Sequence, residues 1–148
     1  MLEYGGDKGI FGYGHTWGGG LMSMTNLVSN AGVVATDTTG VGTDRRLLGA
    51  CRYGEDKGIF GYGLGSGNLS ITNLVSNAGV VATDTSGVGT ARYGVAACEY
   101  GGDKGIFGFG YNGGTGNITN LVSNAGVVAT DLSGVGTVRG YPSACSFN

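Results

Sequence analysis

The sequence predicts an all-β protein made of three copies of one unit. A 13-residue block, Thr-Asn-Leu-Val-Ser-Asn-Ala-Gly-Val-Val-Ala-Thr-Asp, occurs unchanged at residues 25–37, 72–84 and 119–131. Equivalent positions lie 47 residues apart, except for a two-residue insertion between Gly14 and Thr25 in the first copy. Such self-similarity is typical of repeat architectures. We therefore assign the repeats to residues 4–52, 53–99 and 100–146 of a single domain that covers 1–148.

The strands of the repeat are predicted from its local pattern. Short runs rich in Val, Ile, Thr, Phe and Tyr alternate with turn sequences such as Asn-Ala-Gly. No stretch shows an apolar period of 3.6 over ten residues, so helices are not expected. In the middle copy we predict four strands, at residues 57–63, 69–76, 80–85 and 92–100.

The composition argues against several classes of protein. Charged residues make up 12% of the chain and apolar residues 41%, which favours burial of surface over disorder. A net charge of −2 argues against nucleic-acid binding. No apolar run approaches the ~20 residues that cross a membrane, and no signal peptide is visible. The compartment is left open, with a virion or extracellular surface as a candidate location.

A resemblance to a known family rests on the residues from Arg92 onward. The run Arg-Tyr-Gly-Val-Ala-Ala-Cys-Glu-Tyr-Gly-Gly-Asp-Lys-Gly-Ile-Phe-Gly-Phe-Gly resembles the opening of a kelch repeat. The double glycine of that family is replaced by Tyr-Gly or Phe-Gly. The later Tyr and Trp of the family are missing, and Leu74 and Val81, or their neighbours, stand in their place. The resemblance implies a β-propeller of four-stranded antiparallel blades, three per chain.

The ends of the chain predict how such a propeller closes. In the kelch-like strand order a to d, the chain begins at strand b (residues 7–14) and ends with an orphan strand a (residues 138–147). Three blades are fewer than the ~4–8 of known propellers. We therefore expect each C-terminal strand to complete the first blade of another chain, which favours six blades from two chains. A nine-bladed trimer and a fibre are alternatives. The residues expected at the closure are Lys8, Ile10, Phe11, Tyr13, Arg139, Ala144 and Cys145.

Three cysteines occupy equivalent positions in the three copies. Cys51, Cys98 and Cys145 each follow an alanine, and we interpret them as small buried apolar residues. A ring of thiols that binds a soft metal is the alternative. No metal or cofactor is predicted.

Two sets of aspartates recur once per copy. We expect them to form turns and to pair with neighbouring lysines or arginines. A calcium or sugar site is the alternative. The sets are Asp7, Asp56 and Asp103, beside Lys8, Lys57 and Lys104, and Asp37, Asp84 and Asp131, with Arg45, Arg92 and Arg139 as candidate partners.

The copies differ mainly in the loops between strands b and c of the kelch-like strand order. Catalysis is not expected, because His15 is the single histidine and the glycine runs match no phosphate-binding fingerprint. Binding residues on a scaffold are often carried by such loops. The candidate ligand-binding residues are His15, Trp17, Asn68 and Tyr111.

The sequence therefore predicts a non-catalytic structural or binding module that is an oligomeric propeller and displays its loops. Its main expected partner is another copy of itself, with glycans or a surface protein as further candidates. The alternatives are a multivalent carbohydrate-binding lectin and a Gly/Thr-rich fibrous or ice-binding β-solenoid.

Overall fold

The chain is all-β, as predicted. A computed structural model describes residues 2–147, which form three antiparallel sheets of three strands each. Residues 2–147 contain no helix, and hence none long and apolar enough to cross a membrane.

The three sheets repeat one arrangement, in which the middle strand pairs with the strands before and after it in the chain. The first sheet contains β1 (Leu2–Tyr4), β2 (Lys8–His15) and β3 (Leu21–Val28). The second contains β4 (Gly49–Tyr53), β5 (Lys57–Leu64) and β6 (Asn68–Val75). The third contains β7 (Ala96–Tyr100), β8 (Lys104–Gly108) and β9 (Thr119–Val122).

The second sheet packs between the other two, and side chains from facing sheets form the core. A phenylalanine of each following sheet fits against a glycine of the sheet before it. A Cβ atom on Gly61 would lie 2.7 Å from Cζ of Phe107, so only glycine leaves room for the ring. Phe60 lies in the same way against Gly12, where the corresponding distance is 3.0 Å.

Two apolar clusters make up this core. One joins the first and second sheets, and the other joins the second and third. The first consists of Leu2, Tyr4, Ile10, Phe60 and Val75. The second consists of Cys51, Tyr53, Ile59, Tyr62, Val95, Phe107 and Val122.

The predicted fourth strand of each repeat is irregular. In the middle copy it makes two isolated bridges, Val75 with Val81 and Thr72 with Thr85. Five residues from 81 to 85 therefore face four residues from 72 to 75, and this mismatch interrupts the ladder. Each sheet consequently has three regular strands rather than the four that were predicted. The predicted strand at 92–100 is also shorter, because its regular pairing begins at Ala96.

The structure of the single chain differs from the predicted strand inventory at both ends of the described residues. The chain was expected to start at strand b, but Leu2, Glu3 and Tyr4 pair with Ile10, Gly9 and Lys8 as a first strand. Residues 138–147 were expected to form an orphan strand, but the described residues 138–147 have no strand structure. A strand needs a partner for its backbone groups, and Pro142 also lacks an N–H donor.

A bulge in β2 and another in β5 each turn a tyrosine toward the neighbouring sheet. In β5 the pairing register shifts between Gly61 and Gly63, and Tyr62 adopts a φ of 63°. Tyr13 and Phe109 adopt φ values of 62° at the equivalent positions. Non-glycine residues rarely adopt a positive φ without surrounding structure that holds them there.

We expect Phe107→Ala to lower the free energy of unfolding by about 3–5 kcal/mol, because it leaves a cavity against Gly61. Phe11→Ala changes the equivalent residue of the first sheet and provides the matched control. Phe107 is 0% exposed and Phe11 is 46% exposed, so the control should lose much less stability. Urea unfolding of dilute protein measures both losses, and equal losses would contradict this packing.

Candidate functional site

Arg45, a buried arginine, links the first and second sheets. Its guanidinium carbon lies 4.0 Å from the centre of the Tyr13 ring in the first sheet. On the second sheet, Arg45 Nε donates to the carbonyl oxygen of Tyr62 at 2.9 Å, and Nη2 donates to Asn73 Oδ1 at 2.7 Å. Nη1 donates to the carbonyl oxygen of Thr43 at 3.1 Å. One side chain thus contacts both sheets, and we call this arrangement the arginine clasp.

A threonine two residues before this arginine adds a second connection. Thr43 Oγ1 donates to Asp84 Oδ2 at 2.6 Å, and the Thr43 backbone N–H donates to the same carboxylate at 3.0 Å. Asn73 Nδ2 donates to Asp84 Oδ1 at 2.9 Å. Asn73 therefore connects the arginine with the aspartate, because its oxygen accepts from Arg45 and its nitrogen donates to Asp84.

The same clasp joins the second and third sheets. Arg92 lies 4.1 Å from the centre of the Tyr62 ring and donates to the Phe109 carbonyl oxygen at 2.8 Å. Its Nη2 donates to Asn120 Oδ1 at 2.7 Å. Thr90 Oγ1 donates to Asp131 Oδ2 at 2.6 Å. The guanidinium suits this task, since its planar face stacks on a ring while its edge donates several hydrogen bonds.

Half of a clasp lies at each end of the row of sheets. Arg139 lies over the Phe109 ring at 3.9 Å, and its Nη1 donates to the Thr137 carbonyl oxygen at 3.1 Å. Residues 2–147 offer its Nε and Nη2 no acceptor corresponding to Tyr62 and Asn73, and Arg139 is exposed. In the first sheet, Asn26 Nδ2 donates to Asp37 Oδ1 at 2.8 Å, as in the inner sheets.

The expected closure residues lie at these same ends. Lys8 and Ile10 pair with β1 of their own chain, so their edge of β2 is already occupied within residues 2–147. Phe11 lies beyond the reach of β1 and is exposed. Ala144 and Cys145 lie in the irregular segment after Arg139. The ring of Tyr13 stacks against the guanidinium of Arg45 within the same chain.

The candidate ligand-binding residues lie in or beside the connections that follow the middle strands of the three sheets. His15 ends β2, and Trp17 follows it in a turn and is fully exposed. Asn68 begins β6. Tyr111 follows β8 and packs against Tyr93, with ring centres 5.4 Å apart. The four residues are thus distributed over all three sheets.

The first strands of the three sheets lie side by side and line a shared cavity. Arg52 Nε donates to Glu99 Oε2 at 2.6 Å, and Arg52 Nη1 lies 3.2 Å from Glu3 Oε2. The three cysteines border this cavity. Burial raises the pKa of the Cys51 thiol to about 12, so this thiol is protonated at neutral pH.

The cysteines differ in exposure, although their repeat positions are equivalent. Cys51 is buried as predicted, whereas Cys98 is half-buried and Cys145 is exposed. Among residues 2–147, no group of three or more His, Cys, Asp or Glu side chains is placed to hold a metal ion.

The two sets of aspartates have different partners. The first set pairs with the adjacent lysines, as predicted; the pairs are Asp7 with Lys8, Asp56 with Lys57 and Asp103 with Lys104. The second set was expected to pair with arginines, but Asp84 accepts hydrogen bonds from Thr43 and Asn73 instead. The Thr43 hydroxyl reaches this carboxylate from the segment between β3 and β4, and the Asn73 amide reaches it from β6.

Sequence reasoning missed the clasp residues Asn73 and Thr43. The signal was present, because the asparagine and the threonine recur in all three copies together with the aspartate and the arginine. Their shared role depends on which sheets face each other, and no spacing along the chain shows that.

The comparisons with known proteins concern the fold alone. The sequence matches no protein-family model and no curated protein. The chain is similar in structure to a fungal alcohol oxidase of the AA5 family in complex with copper, with a TM-score of 0.54 and 17% sequence identity. The similarity covers 79% of this chain and 25% of that chain, so this protein spans about a quarter of the oxidase.

We expect Arg92→Ala to lower the free energy of unfolding by about 2–4 kcal/mol. The change leaves the buried Asn120 Oδ1 and the Phe109 carbonyl oxygen without their charged donor. Arg139→Ala is the matched control, because this exposed arginine bonds only to Thr137 O within residues 2–147. Chemical denaturation of dilute protein compares the two variants. A loss for Arg139→Ala as large as that for Arg92→Ala would contradict the clasp.

Asp84 and Asp131 predict a loss of stability in acid. Burial raises the pKa of Asp84, but hydrogen bonds from Thr43 and Asn73 outweigh it, so the pKa lies below its ordinary value. The same causes lower the pKa of Asp131, with Thr90 and Asn120 as donors. A lowered folded-state pKa contributes stability above the unfolded value of about 3.9, and this contribution disappears as the pH falls through the folded value.

Unfolding free energies measured between pH 6 and pH 2 check this expectation. The double variant Asp84→Asn/Asp131→Asn should show a smaller fall with acidification than the unmodified protein. Asp37→Asn serves as the control, since no threonine donates to Asp37 within residues 2–147. If the double variant kept the full pH dependence, the stabilising role of the two carboxylates would be wrong.

Proposed function

We propose that this protein is a non-catalytic structural or binding module, that its functional unit is a propeller-like assembly of several copies, and that this assembly displays the variable loops. The observation that carries the proposal is the exposure of Phe11. The ring is 46% exposed, whereas its equivalents Phe60 and Phe107 are 3% and 0% exposed. A side chain that the inner sheets bury is thus presented on one end face.

The opposite end face offers a matching cavity. Gly61 receives the ring of Phe107 from the following sheet, and the equivalent glycine of the third sheet is Gly108. A cavity beside Gly108 is lined by Ala96, Ile106, Gly108, Phe109, Thr119 and Arg139, together with residues 142–144. The first sheet of another copy would place Phe11 in this cavity.

A second aromatic residue supports the same arrangement. Tyr4 and Tyr53 are buried against Gly79 and Gly126 of the following sheets. Tyr100, their equivalent in the third sheet, is 39% exposed. The corresponding position on the first sheet of another copy is Gly32, where an added Cβ atom would meet nothing within 4 Å. Each end face therefore supplies both a protruding ring and a receiving glycine.

Such contacts join unlike faces, so each copy can contact two others. Heterologous contacts generate rings when the rotation closes and fibres when it does not. Two copies that close a ring of six sheets remain the favoured assembly. The loops that contain Trp17, Asn68 and Tyr111 follow or precede equivalent strands, so an assembly would repeat them at its rim for contact with a glycan or a surface protein.

We expect light scattering after size-exclusion chromatography to give twice the 14.8 kDa mass of the chain at micromolar concentration. Phe11→Asp should return the protein to 14.8 kDa, because it places a charge in the apolar cavity. Trp17→Ser is the control, since Trp17 is fully exposed in the turn between β2 and β3 and belongs to neither the ring nor the glycine positions proposed for the contact, and it should leave the mass unchanged. A mass three times that of one chain, or long polymers, would support assembly of several copies but contradict closure by two copies. A single 14.8 kDa species at every concentration would overturn the proposal.

A further inference from the structure

We infer that the first sheet carries a receptor site for one guanidinium and one hydroxyl group, and that Arg139 and Thr137 of a second copy of this chain occupy it. The site consists of the Tyr13 carbonyl oxygen, Asn26 Oδ1 and the Asp37 carboxylate. The inference rests on the proposed assembly, and it assigns the polar contacts that fix the orientation of one copy on the next.

The acceptors of this site are already arranged as in the inner sheets. Tyr13 has the same positive φ as Tyr62, at 62° and 63°, so its carbonyl group follows the same bulge. Asn26 Nδ2 donates to Asp37 Oδ1 at 2.8 Å, close to the 2.9 Å of the equivalent bond in the second sheet. This bond leaves Asn26 Oδ1 available as an acceptor. No arginine or threonine of residues 2–147 donates to these acceptors.

The donors at the other end are arranged as in the inner clasps. The guanidinium of Arg139 lies 3.9 Å from the centre of the Phe109 ring, as that of Arg92 lies 4.1 Å from the Tyr62 ring. Nη1 of Arg139 and Nη1 of Arg92 each donate at 3.1 Å to the carbonyl oxygen two residues earlier. The stacking and this bond hold the side chain before any second copy arrives, which lowers the entropy lost on docking.

The spacing of the donors identifies the occupant. A threonine precedes the arginine by two residues in both inner clasps, and Thr137 precedes Arg139 in the same way. The receptor lies beyond the part of β2 that β1 covers, because the pairing of β1 ends at Ile10. Docking of Arg139 and Thr137 therefore leaves β1 in place. The contact joins the third sheet of one copy to the first sheet of another.

Mixing two variants tests this polarity with the full chain. The head variant, Asn26→Ala/Asp37→Ala, removes the receptor, and the tail variant, Thr137→Val/Arg139→Ala, removes the donors. Each variant alone should associate at least about 30-fold more weakly than the unmodified protein, because hydrogen bonds to charged groups are lost. An equimolar mixture retains one intact contact per pair and should form dimers of twice the 14.8 kDa chain mass.

Two controls keep the outcomes separate. Thermal unfolding of the tail variant as a dilute monomer should match that of the unmodified chain, since its changed donors are exposed and make few contacts within the chain. The head variant also loses the hydrogen bonds that Asn26 Nδ2 donates to Asp37 and to the Ala35 carbonyl oxygen, so its association is measured at a temperature where circular dichroism shows it to be folded. Arg139→Lys should restore only part of the association, because an ammonium group cannot donate to both Tyr13 and Asn26 from a stacked position.

The result decides between two failures. If the unmodified protein assembles and the head and tail variants assemble equally well, the receptor site is wrong while the proposed assembly stands. If the variants are weakened but the mixture forms no dimer, the contact is not head to tail and the inference is overturned. A monomeric unmodified protein would overturn the proposed assembly and this inference together.

Discussion

The packing of the three sheets depends on one arginine at each junction. Arg45 and Arg92 are 0% and 1% exposed, and each is stacked on one sheet and hydrogen-bonded to the next. A charge is costly to bury unless all its donors find acceptors. That requirement fixes how far one sheet is rotated against its neighbour, because the carbonyl oxygen, the asparagine oxygen and the ring must be reached by the same planar group. The apolar contacts between sheets are less directional and would tolerate several angles.

The glycine content follows from the same packing. A single repeat cannot bury its apolar face alone, so each sheet must pack closely on its neighbours. Phe107 reaches the backbone of the second sheet only because residue 61 has no side chain. The phenylalanine and the glycine recur together in every copy, next to each other in the middle strand. The second sheet therefore supplies a ring, that of Phe60, to the first sheet, and a space, at Gly61, to the third.

The sequence predicted the repeat, the all-β class and the two long strands of the middle copy. These features depend on local pattern, and β5 at Lys57–Leu64 differs by one residue from its predicted span. The clasp was not predicted, because Arg45, in the segment between β3 and β4, meets Asn73 of β6 only in the folded chain. The short β1 was not predicted either. It has three residues, of which only Leu2 and Tyr4 are apolar or aromatic, and this is too short a run to show the alternation that predicts a strand. The irregular fourth segment differs from a strand by a single extra residue, which no propensity reveals.

Repetition of a directional contact constrains where a ligand could bind. Positions that are equivalent in all copies are mostly engaged in holding the sheets together, as Asn73, Asp84 and Arg92 are. Changing such a residue to suit a ligand would weaken a junction. The positions that differ between copies lie instead in loops such as that of Trp17, where a change leaves the clasp intact. Recognition can therefore diversify in the loops while the junctions stay constant, provided that an assembly brings several loops together. In the proposed assembly, heterologous end faces would add copies in one direction, so the same loops would recur at regular intervals and weak single contacts would combine through multivalency.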